Sequence, residues 1–210
     1  MLQTLRSLIH KKAPAASQSV IIVSGLPRSG TSMMMKMLEA GGLPVFIDGI
    51  RTADSDNPKG YYELERVKQL DKGDTAWVAD ARGKVVKVIS ALLTYLPPEH
   101  EYYILFMRRD LNEILASQKK MLHNRGEEKG ADDEEIAALF QQHLTATMDW
   151  LADRPNMHLL EVDYNALLQD PEPWLDQVAT FVPAALDANA MRAITEPDLY
   201  RNRSGQNVSP

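Results

Sequence analysis

A chain of 210 residues can bury one sizeable core, and its 44% hydrophobic and 25% charged residues exclude a fibrous or wholly disordered class. The formal net charge of −6 argues against nucleic acid as a partner, because proteins that coat nucleic acid carry a broad basic face. The absence of cysteine excludes disulfides, thiolate metal sites and a cysteine nucleophile, and it fits a cytoplasmic location.

The composition of the N-terminal segment predicts that it lies on the surface. Its apolar pieces are short and are interrupted by Arg6, His10, Lys11 and Lys12, so we expect neither a secretory signal nor stable membrane insertion. We therefore predict a tail or short surface helix over residues 1–17 and a single domain over residues 18–210.

Strand and helix patterns alternate along the rest of the chain. Apolar, β-branched or aromatic runs predict strands at 19–25, 85–89, 102–107 and 158–162. Helical patterns fall at 30–42, 110–123, 133–153 and 172–182. This alternation predicts an α/β fold in which helices flank a central parallel β-sheet. The charged segment 124–135 is interpreted as a solvated connection, with a lid over a substrate as the alternative.

The first predicted strand runs into the sequence VSGLPRSGTS, residues 23–32, which has the glycine spacing of a phosphate-binding loop. In such a loop, backbone N–H groups and the N-terminus of the next helix point at an anion. Thr31 stands where a triphosphate-binding loop has lysine, and Arg28 places a cation inside the loop instead. We therefore expect a shorter anionic group than a triphosphate. The plainer alternative is a tight turn with Ser29, Thr31 or Ser32 as helix cap.

Three segments carry a resemblance to the sulfotransferase family. LPRSGTS resembles the family's 5′-phosphosulfate loop, P-[KR]-S-G-T-[ST], which binds 3′-phosphoadenosine 5′-phosphosulfate (PAPS). YYILFMRRDLNEILASQKKM (102–121) is similar to the element in which an Arg, here Arg109, and a Ser eight positions later, here Ser117, bind the 3′-phosphate. The family's frequent proline is Leu111 in this chain. HLLEVDYNALLQDPEPWLDQVATFV (158–182) is similar to a downstream pattern in which Asp170 and Pro171 begin a helix.

The resemblance implies a three-layer P-loop fold and the transfer of a sulfuryl group from PAPS to a hydroxyl or amine of a small-molecule or glycan acceptor. It implies 3′,5′-ADP as product and no metal. The residues it implies for donor binding are Arg28, Ser29, Gly30, Thr31, Ser32, Arg109 and Ser117. Arg28 is also a catalytic candidate, because its charge can stabilise the transferring group. Arg201 and Arg203 are further candidates for the 3′-phosphate, with an exposed tail as the alternative. Lys87 resembles the family's strand lysine, which approaches the transferring group, although a lysine near a strand end can also extend to solvent.

The general base is open at this stage. Cytosolic members of the family place a histidine shortly after the strand lysine, but KVISALLTYLP (87–97) contains none. A carboxylate could accept the proton instead, and our first choice is Glu63, behind the Pro58–Gly60 turn, with Asp48 and Glu65 as competitors. The structural alternative for either glutamate is a favourable charge at a helix N-terminus.

Two other functions remain open from the sequence. A P-loop kinase for a small molecule or nucleotide is weakened by Thr31 and by the Arg109 and Ser117 spacing. An idle nucleotide-binding protein is supported by the missing histidine. His123, His143 and His158 lack metal-ligand spacing, so we expect surface or hydrogen-bonded structural roles for them and no metal site.

Overall fold

Four parallel strands form one sheet in the computed structural model, which describes residues 18–50, 62–124, 126 and 132–195. The strands are β1 (Val20–Gly25), β2 (Val85–Lys87), β3 (Tyr102–Arg108) and β4 (Met157–Asp163). Their order is β2-β1-β3-β4, and every neighbouring pair is parallel. All four predicted strands are confirmed. β2 is shorter than predicted because the chain turns into a short helix at Ser90.

The side chains of β1 alternate between two hydrophobic cores, one on each face of the sheet. Val20 and Ile22 enter one core, which is covered by residues of α2 (Leu111–Asn124) and α3 (Asp133–Ala152). Ile21 and Val23 enter the other, which is covered by residues of α1 (Thr31–Ala40) and α5 (Pro171–Phe181). Because both faces of the sheet are buried under helices, the predicted α/β architecture with three layers is confirmed.

Shorter helices complete the described part of the chain. α4 (Tyr164–Gln169) follows β4, and α6 (Ala188–Arg192) follows α5. Three 3-10 helices lie between α1 and β3, at Glu65–Lys72, Ala76–Ala81 and Ser90–Tyr95. The sequence did not predict α6 or the three 3-10 helices, because runs of five to eight residues are too short to show a helical period.

The sequences of two helices fit the positions that the helices occupy. The methionine-rich stretch of α1 packs into the core, where Met34, Met35 and Met37 are fully buried. Asp170 is the N-cap residue of α5 and Pro171 its first helical residue. Proline fits that position because its missing N–H would have no partner within the helix.

Several predictions lie outside the described residues: the tail over residues 1–17, the Pro58–Gly60 turn, most of segment 124–135, and Arg201 with Arg203. These stay predictions, as does the single domain over residues 18–210. In the part of the chain that the structure describes, no helix has both the length and the apolar character needed to span a membrane.

Candidate functional site

The carboxyl ends of β2, β1 and β3 bring the predicted site residues to one edge of the sheet. β1 ends at Gly25 and leads into the predicted phosphate loop. β2 ends at Lys87, which pairs with Val23 of β1, and β3 ends at Arg108, directly before Arg109. Since β1 lies between β2 and β3, the chain crosses to opposite sides of it, and α/β proteins bind ligands in the crevice that such a reversal creates. Lys87 and Arg109 therefore flank the loop from opposite sides.

The loop backbone adopts conformations that favour glycine. Gly25, Arg28 and Gly30 have φ angles of 143°, 70° and 100°. A positive φ is ordinary for glycine but uncommon for arginine, and such strained positions gather at functional loops. A Cβ atom on Gly30 would lie 2.3 Å from the ring of Tyr164, so a larger residue cannot fit there without displacing that ring.

The first turn of α1 carries polar groups that suit an anion. Gly30 is the N-cap residue of α1 and, as a glycine, has no side chain that could cap the helix. The N-cap position is therefore not occupied by Ser29, Thr31 or Ser32. Thr31 and Ser32 are instead half-buried residues of the first turn, where backbone N–H groups and the helix dipole favour negative charge.

Ser29 supplies a separate indication of an anion. Its side chain is buried, and Oγ has no hydrogen-bond partner among the described residues. A buried hydroxyl without a partner is unfavourable, and an anion in the loop would give it an acceptor. The Ser29 N–H group itself donates to the Leu26 carbonyl at 3.2 Å, so the amide that the sequence assigned to the anion closes the turn instead. These residues fit a phosphate or phosphosulfate group.

Arg109 is held on three sides at the start of α2. Nε donates to Glu113 Oε2 at 3.0 Å, Nη1 donates to the Arg28 carbonyl at 3.1 Å, and Cζ lies 4.6 Å from the centre of the Tyr164 ring. These two hydrogen bonds use two of the five N–H donors of a guanidinium group. The side chains of Arg109 and Glu113 are only 8% and 2% exposed, and Asn165 donates to the other Glu113 oxygen at 3.0 Å. A buried ion pair thus fixes Arg109 against the loop.

Arg28 and Ser117 meet in the same place. Arg28 Nε donates to Ser117 Oγ at 2.9 Å, and Ser117 is buried on α2. The sequence assigned Arg28 to the transferring group and Ser117 to the 3′-phosphate, whereas the structure joins both in one cluster with Arg109. Because Glu113 balances the charge of Arg109, Arg28 contributes positive charge that this ion pair does not neutralise.

A pocket of about 150 Å³ lies on the β2 side of the loop. Its lining residues are Glu63, Leu64, Val67, Lys68, Lys87, Ile89 and Leu92. Lys87 Nζ is 3.6 Å from Glu63 Oε1, and Lys68 Nζ is 3.5 Å from Glu63 Oε2. The side chains of Lys87 and Glu63 are 10% and 19% exposed, so Lys87 does not extend to solvent as the structural alternative proposed. The pocket brings together the predicted lysine and the first choice of base.

Asp48 has a different environment from Glu63. Asp48 Oδ2 accepts from the Glu65 N–H at 2.6 Å, and Oδ1 accepts from the Ile50 N–H at 3.0 Å. Burial by itself would raise the pKa of Asp48, but these backbone hydrogen bonds outweigh it and lower the pKa. Asp48 therefore fixes the backbone beside Glu63, and its lowered pKa makes it a weaker base than an ordinary aspartate.

The backbone around Glu63 turns the neighbouring glutamate away. Glu65 is 38% exposed, pairs with Lys68 at 2.7 Å and is not among the described residues that line the pocket. Tyr62 has a φ of 51° and donates from Oη to Glu39 Oε2 at 2.5 Å. Burial and this carboxylate raise the pKa of Tyr62, which keeps it a hydrogen-bond donor. Tyr62 therefore ties the segment that carries Glu63 to α1.

The remaining predicted groups take no part in this arrangement. His143 Nε2 lies 2.8 Å from Ser90 Oγ, and His158 Nε2 lies 3.0 Å from Glu101 Oε2, which confirms the structural roles predicted for these two histidines. Within residues 18–50, 62–124 and 132–195, no group of three or more histidine, aspartate or glutamate side chains is placed to hold a metal ion.

Glu113, Tyr164 and the apolar wall of the pocket were not predicted from the sequence. Glu113 follows Arg109 by four residues at the start of a helix, a spacing at which opposite charges pair, so this partner had a readable signal. Tyr164 approaches Gly30 through packing between distant parts of the chain, and no local pattern indicates it.

Comparisons with known proteins do not assign the chain to a family. No protein-family model matches it, and no curated protein matches its sequence. A sulfotransferase domain from the curacin biosynthetic pathway aligns with 91% of this chain and 94% of its own at 13% identity, with a TM-score of 0.46. An unliganded sugar kinase from Janibacter sp. HTCC2649 aligns with 79% of this chain and 94% of its own at 16% identity, with a TM-score of 0.39. At these identities and TM-scores neither likeness bears on function.

Proposed function

We propose that the protein is a sulfotransferase that moves a sulfuryl group from PAPS to an acceptor bound beside Lys87. The observation that carries this proposal is the cluster of Arg28, Arg109 and Ser117 at a phosphate loop that lacks the triphosphate-binding lysine. The Arg109 guanidinium group and the Ser117 hydroxyl on the α2 side of the loop suit a second phosphate, in addition to the anion that Arg28 and the start of α1 would hold. A 3′-phosphorylated nucleotide has that pair of charged groups.

Different residues would bind the two charged ends of the donor. Arg28, Ser29, Thr31 and Ser32 would hold the phosphosulfate end of the donor, and Arg109 with Ser117 would hold its 3′-phosphate. PAPS supplies the sulfuryl group when it is bound. Fixed donors and cations of this kind stabilise the charge that develops during transfer without reorganising at that moment.

On the β2 side, Glu63 and Lys87 have complementary roles in the transfer. A bond forms between the acceptor oxygen and sulfur, and the bond from sulfur to the 5′-phosphate oxygen breaks with its electron pair leaving on 3′,5′-ADP. The acceptor proton passes to a Glu63 oxygen as general base. Lys87, whose ammonium group lies beside that carboxylate, stabilises negative charge on the oxygens around sulfur.

Calorimetric titration of the full chain with 3′,5′-ADP, 5′-AMP and ATP tests the donor assignment. We expect 3′,5′-ADP to bind without magnesium and at least about tenfold more tightly than 5′-AMP, since the 3′-phosphate adds charge-assisted hydrogen bonds. Magnesium-dependent preference for ATP would instead support a P-loop kinase. Binding of 3′,5′-ADP by a protein that transfers no sulfuryl group to any acceptor would support the idle nucleotide-binding alternative.

A further inference from the structure

We infer that the pocket beside Lys87 binds an acceptor with a single hydroxyl on a small apolar group, about the size of one six-membered carbon ring. The inference rests on the proposed function and narrows its acceptor class. It depends on the juxtaposition of one carboxylate and two lysines with four aliphatic side chains in a pocket of about 150 Å³.

The volume limits the acceptor group to a small ring. A closed aliphatic cavity of about 150 Å³ is large enough to hold benzene. The pocket is open on one side, and its enclosed part of about 150 Å³ matches one ring or a short branched chain, so two linked sugar rings would not both be enclosed. A larger acceptor would have to leave most of its body outside the pocket.

The apolar lining favours a hydrocarbon over a sugar. Leu64 and Val67 are buried, Leu92 is half-buried, and Ile89 is 42% exposed at the rim. A sugar ring carries a hydroxyl on nearly every carbon, and hydroxyls placed against these side chains would lose their hydrogen bonds to water. Each such loss lowers affinity by about tenfold, so a polyhydroxylated ring is strongly disfavoured.

The charged lining favours a hydroxyl over an amine. Glu63 lies between Lys87 and Lys68, at 3.6 and 3.5 Å, so one negative and two positive charges face the pocket. Two ammonium groups would repel a protonated amine, whereas a neutral hydroxyl carries no charge to be repelled. Lys68 is 51% exposed and Lys87 10% exposed. Of the three charged side chains, Lys87 and Glu63 therefore form the more buried pair, and the acceptor hydroxyl would bind beside them.

Methyl NMR of the full chain with cyclohexanol, myo-inositol and cyclohexylamine tests this inference directly. The three probes share a six-membered carbon ring and differ in the number and charge of their polar groups. With 3′,5′-ADP present, we expect cyclohexanol to shift the methyl signals of Leu64, Val67, Ile89 and Leu92 and to bind at least about tenfold more tightly than either other probe. Equal or tighter binding of myo-inositol or cyclohexylamine, or no binding of cyclohexanol, would overturn the inference.

A pair of tryptophan substitutions tests whether cyclohexanol binds in this pocket. Ile89→Trp fills the rim of the pocket, and Leu139→Trp is the matched control on an exposed leucine of α3 that is 58% exposed. We expect Ile89→Trp to weaken cyclohexanol binding by about tenfold and Leu139→Trp to leave it unchanged. Both variants should bind 3′,5′-ADP as the wild type does, which verifies that they fold. Equal loss of cyclohexanol binding in both variants would contradict the proposed pocket.

Transfer of labelled sulfate from PAPS distinguishes a failure of the proposed sulfotransferase function from a failure of the inferred acceptor class. Sulfation of myo-inositol in preference to cyclohexanol would sustain the proposed function and overturn the acceptor inference. Cyclohexanol binding that is lost in Ile89→Trp, in a protein that binds ATP with magnesium and ignores 3′,5′-ADP, would sustain the pocket assignment as an alcohol site and overturn the sulfotransferase proposal.

Discussion

The two sides of the phosphate loop are built in different ways. On the α2 side, Arg109 and Glu113 form a buried ion pair at 3.0 Å, and Arg28 donates to Ser117 at 2.9 Å. On the β2 side, Glu63 and Lys87 lie 3.6 Å apart, with aliphatic side chains around them. Direct charge-assisted hydrogen bonds fix the first group, whereas the second group is a longer ion pair that borders an apolar pocket. Residues of the α2 side should therefore affect stability and nucleotide choice, and residues of the β2 side should affect turnover.

If the two sides differ in this way, the largest expected effect is the loss of stability in Arg109→Ala, on the α2 side. The substitution leaves the Glu113 carboxylate, 2% exposed, without its guanidinium partner. Breaking one member of a buried ion pair lowers the free energy of unfolding by about 3–5 kcal/mol. Urea denaturation at neutral pH measures the loss. The double variant Arg109→Ala with Glu113→Gln should recover part of it, because no unpaired charge remains. A loss below about 1 kcal/mol would show that the pair does not hold this side together.

The next largest effect is the loss of turnover in Glu63→Gln. The amide keeps the shape of the side chain but cannot take the acceptor proton, so we expect turnover to fall by about 100-fold. Affinity for 3′,5′-ADP should stay within about twofold of the wild type. Turnover is measured with PAPS and cyclohexanol, with Glu65→Gln as the matched control on the neighbouring glutamate. Collapse in Asp48→Asn with a near-normal rate in Glu63→Gln would move the base to Asp48.

A smaller effect on nucleotide affinity is expected for Ser117→Ala. It removes one neutral hydrogen-bonding group from the Arg28 and Arg109 cluster. A single hydrogen bond of this kind corresponds to about a 2- to 10-fold change in affinity. Titration with 3′,5′-ADP and 5′-AMP should show the loss for 3′,5′-ADP alone. Equal losses for both nucleotides would place Ser117 away from the 3′-phosphate.

The smallest expected effect is a pH-dependent change in stability for Asp48→Asn. Backbone hydrogen bonds lower the pKa of Asp48 below its ordinary value of 3.8, so the folded state prefers the charged carboxylate. A lowered pKa adds stability above the unfolded-state pKa, and that stability is lost as the pH falls through the folded-state pKa. The wild type should therefore exceed Asp48→Asn in stability near neutral pH, and the difference should shrink in acid. Asp176→Asn, on the exposed face of α5, controls for the change of charge. A difference that grows in acid would contradict this role.

The fold was more readable from the sequence than the geometry of the site. Strand patterns and a glycine-bounded loop are local signals, and they placed β1, β3 and the start of α1 within one or two residues of their observed bounds. The partners of Arg28 and the apolar wall around Glu63 depend on contacts between distant segments. Arg28 and Ser117 are 89 residues apart in sequence, and no local pattern indicates that their side chains touch. The contrast between Glu63 and Asp48 depends in part on the hydrogen bond from the Glu65 N–H to Asp48, which joins residues 17 apart in sequence and has no local signal.

The most direct test of the division between the two sides is the ratio of the 5′-AMP and 3′,5′-ADP dissociation constants in three variants. Arg109→Lys keeps a positive charge beside Glu113 but loses the planar fork that grips a phosphate. Arg108→Lys is the matched control on the adjacent arginine, which is 35% exposed and pairs with Glu161. Lys87→Met alters the β2 side. We predict that Arg109→Lys lowers the ratio by about tenfold, whereas Arg108→Lys and Lys87→Met leave it within about twofold of the wild type. An unchanged ratio in Arg109→Lys, or an equal fall in Lys87→Met, would contradict the division.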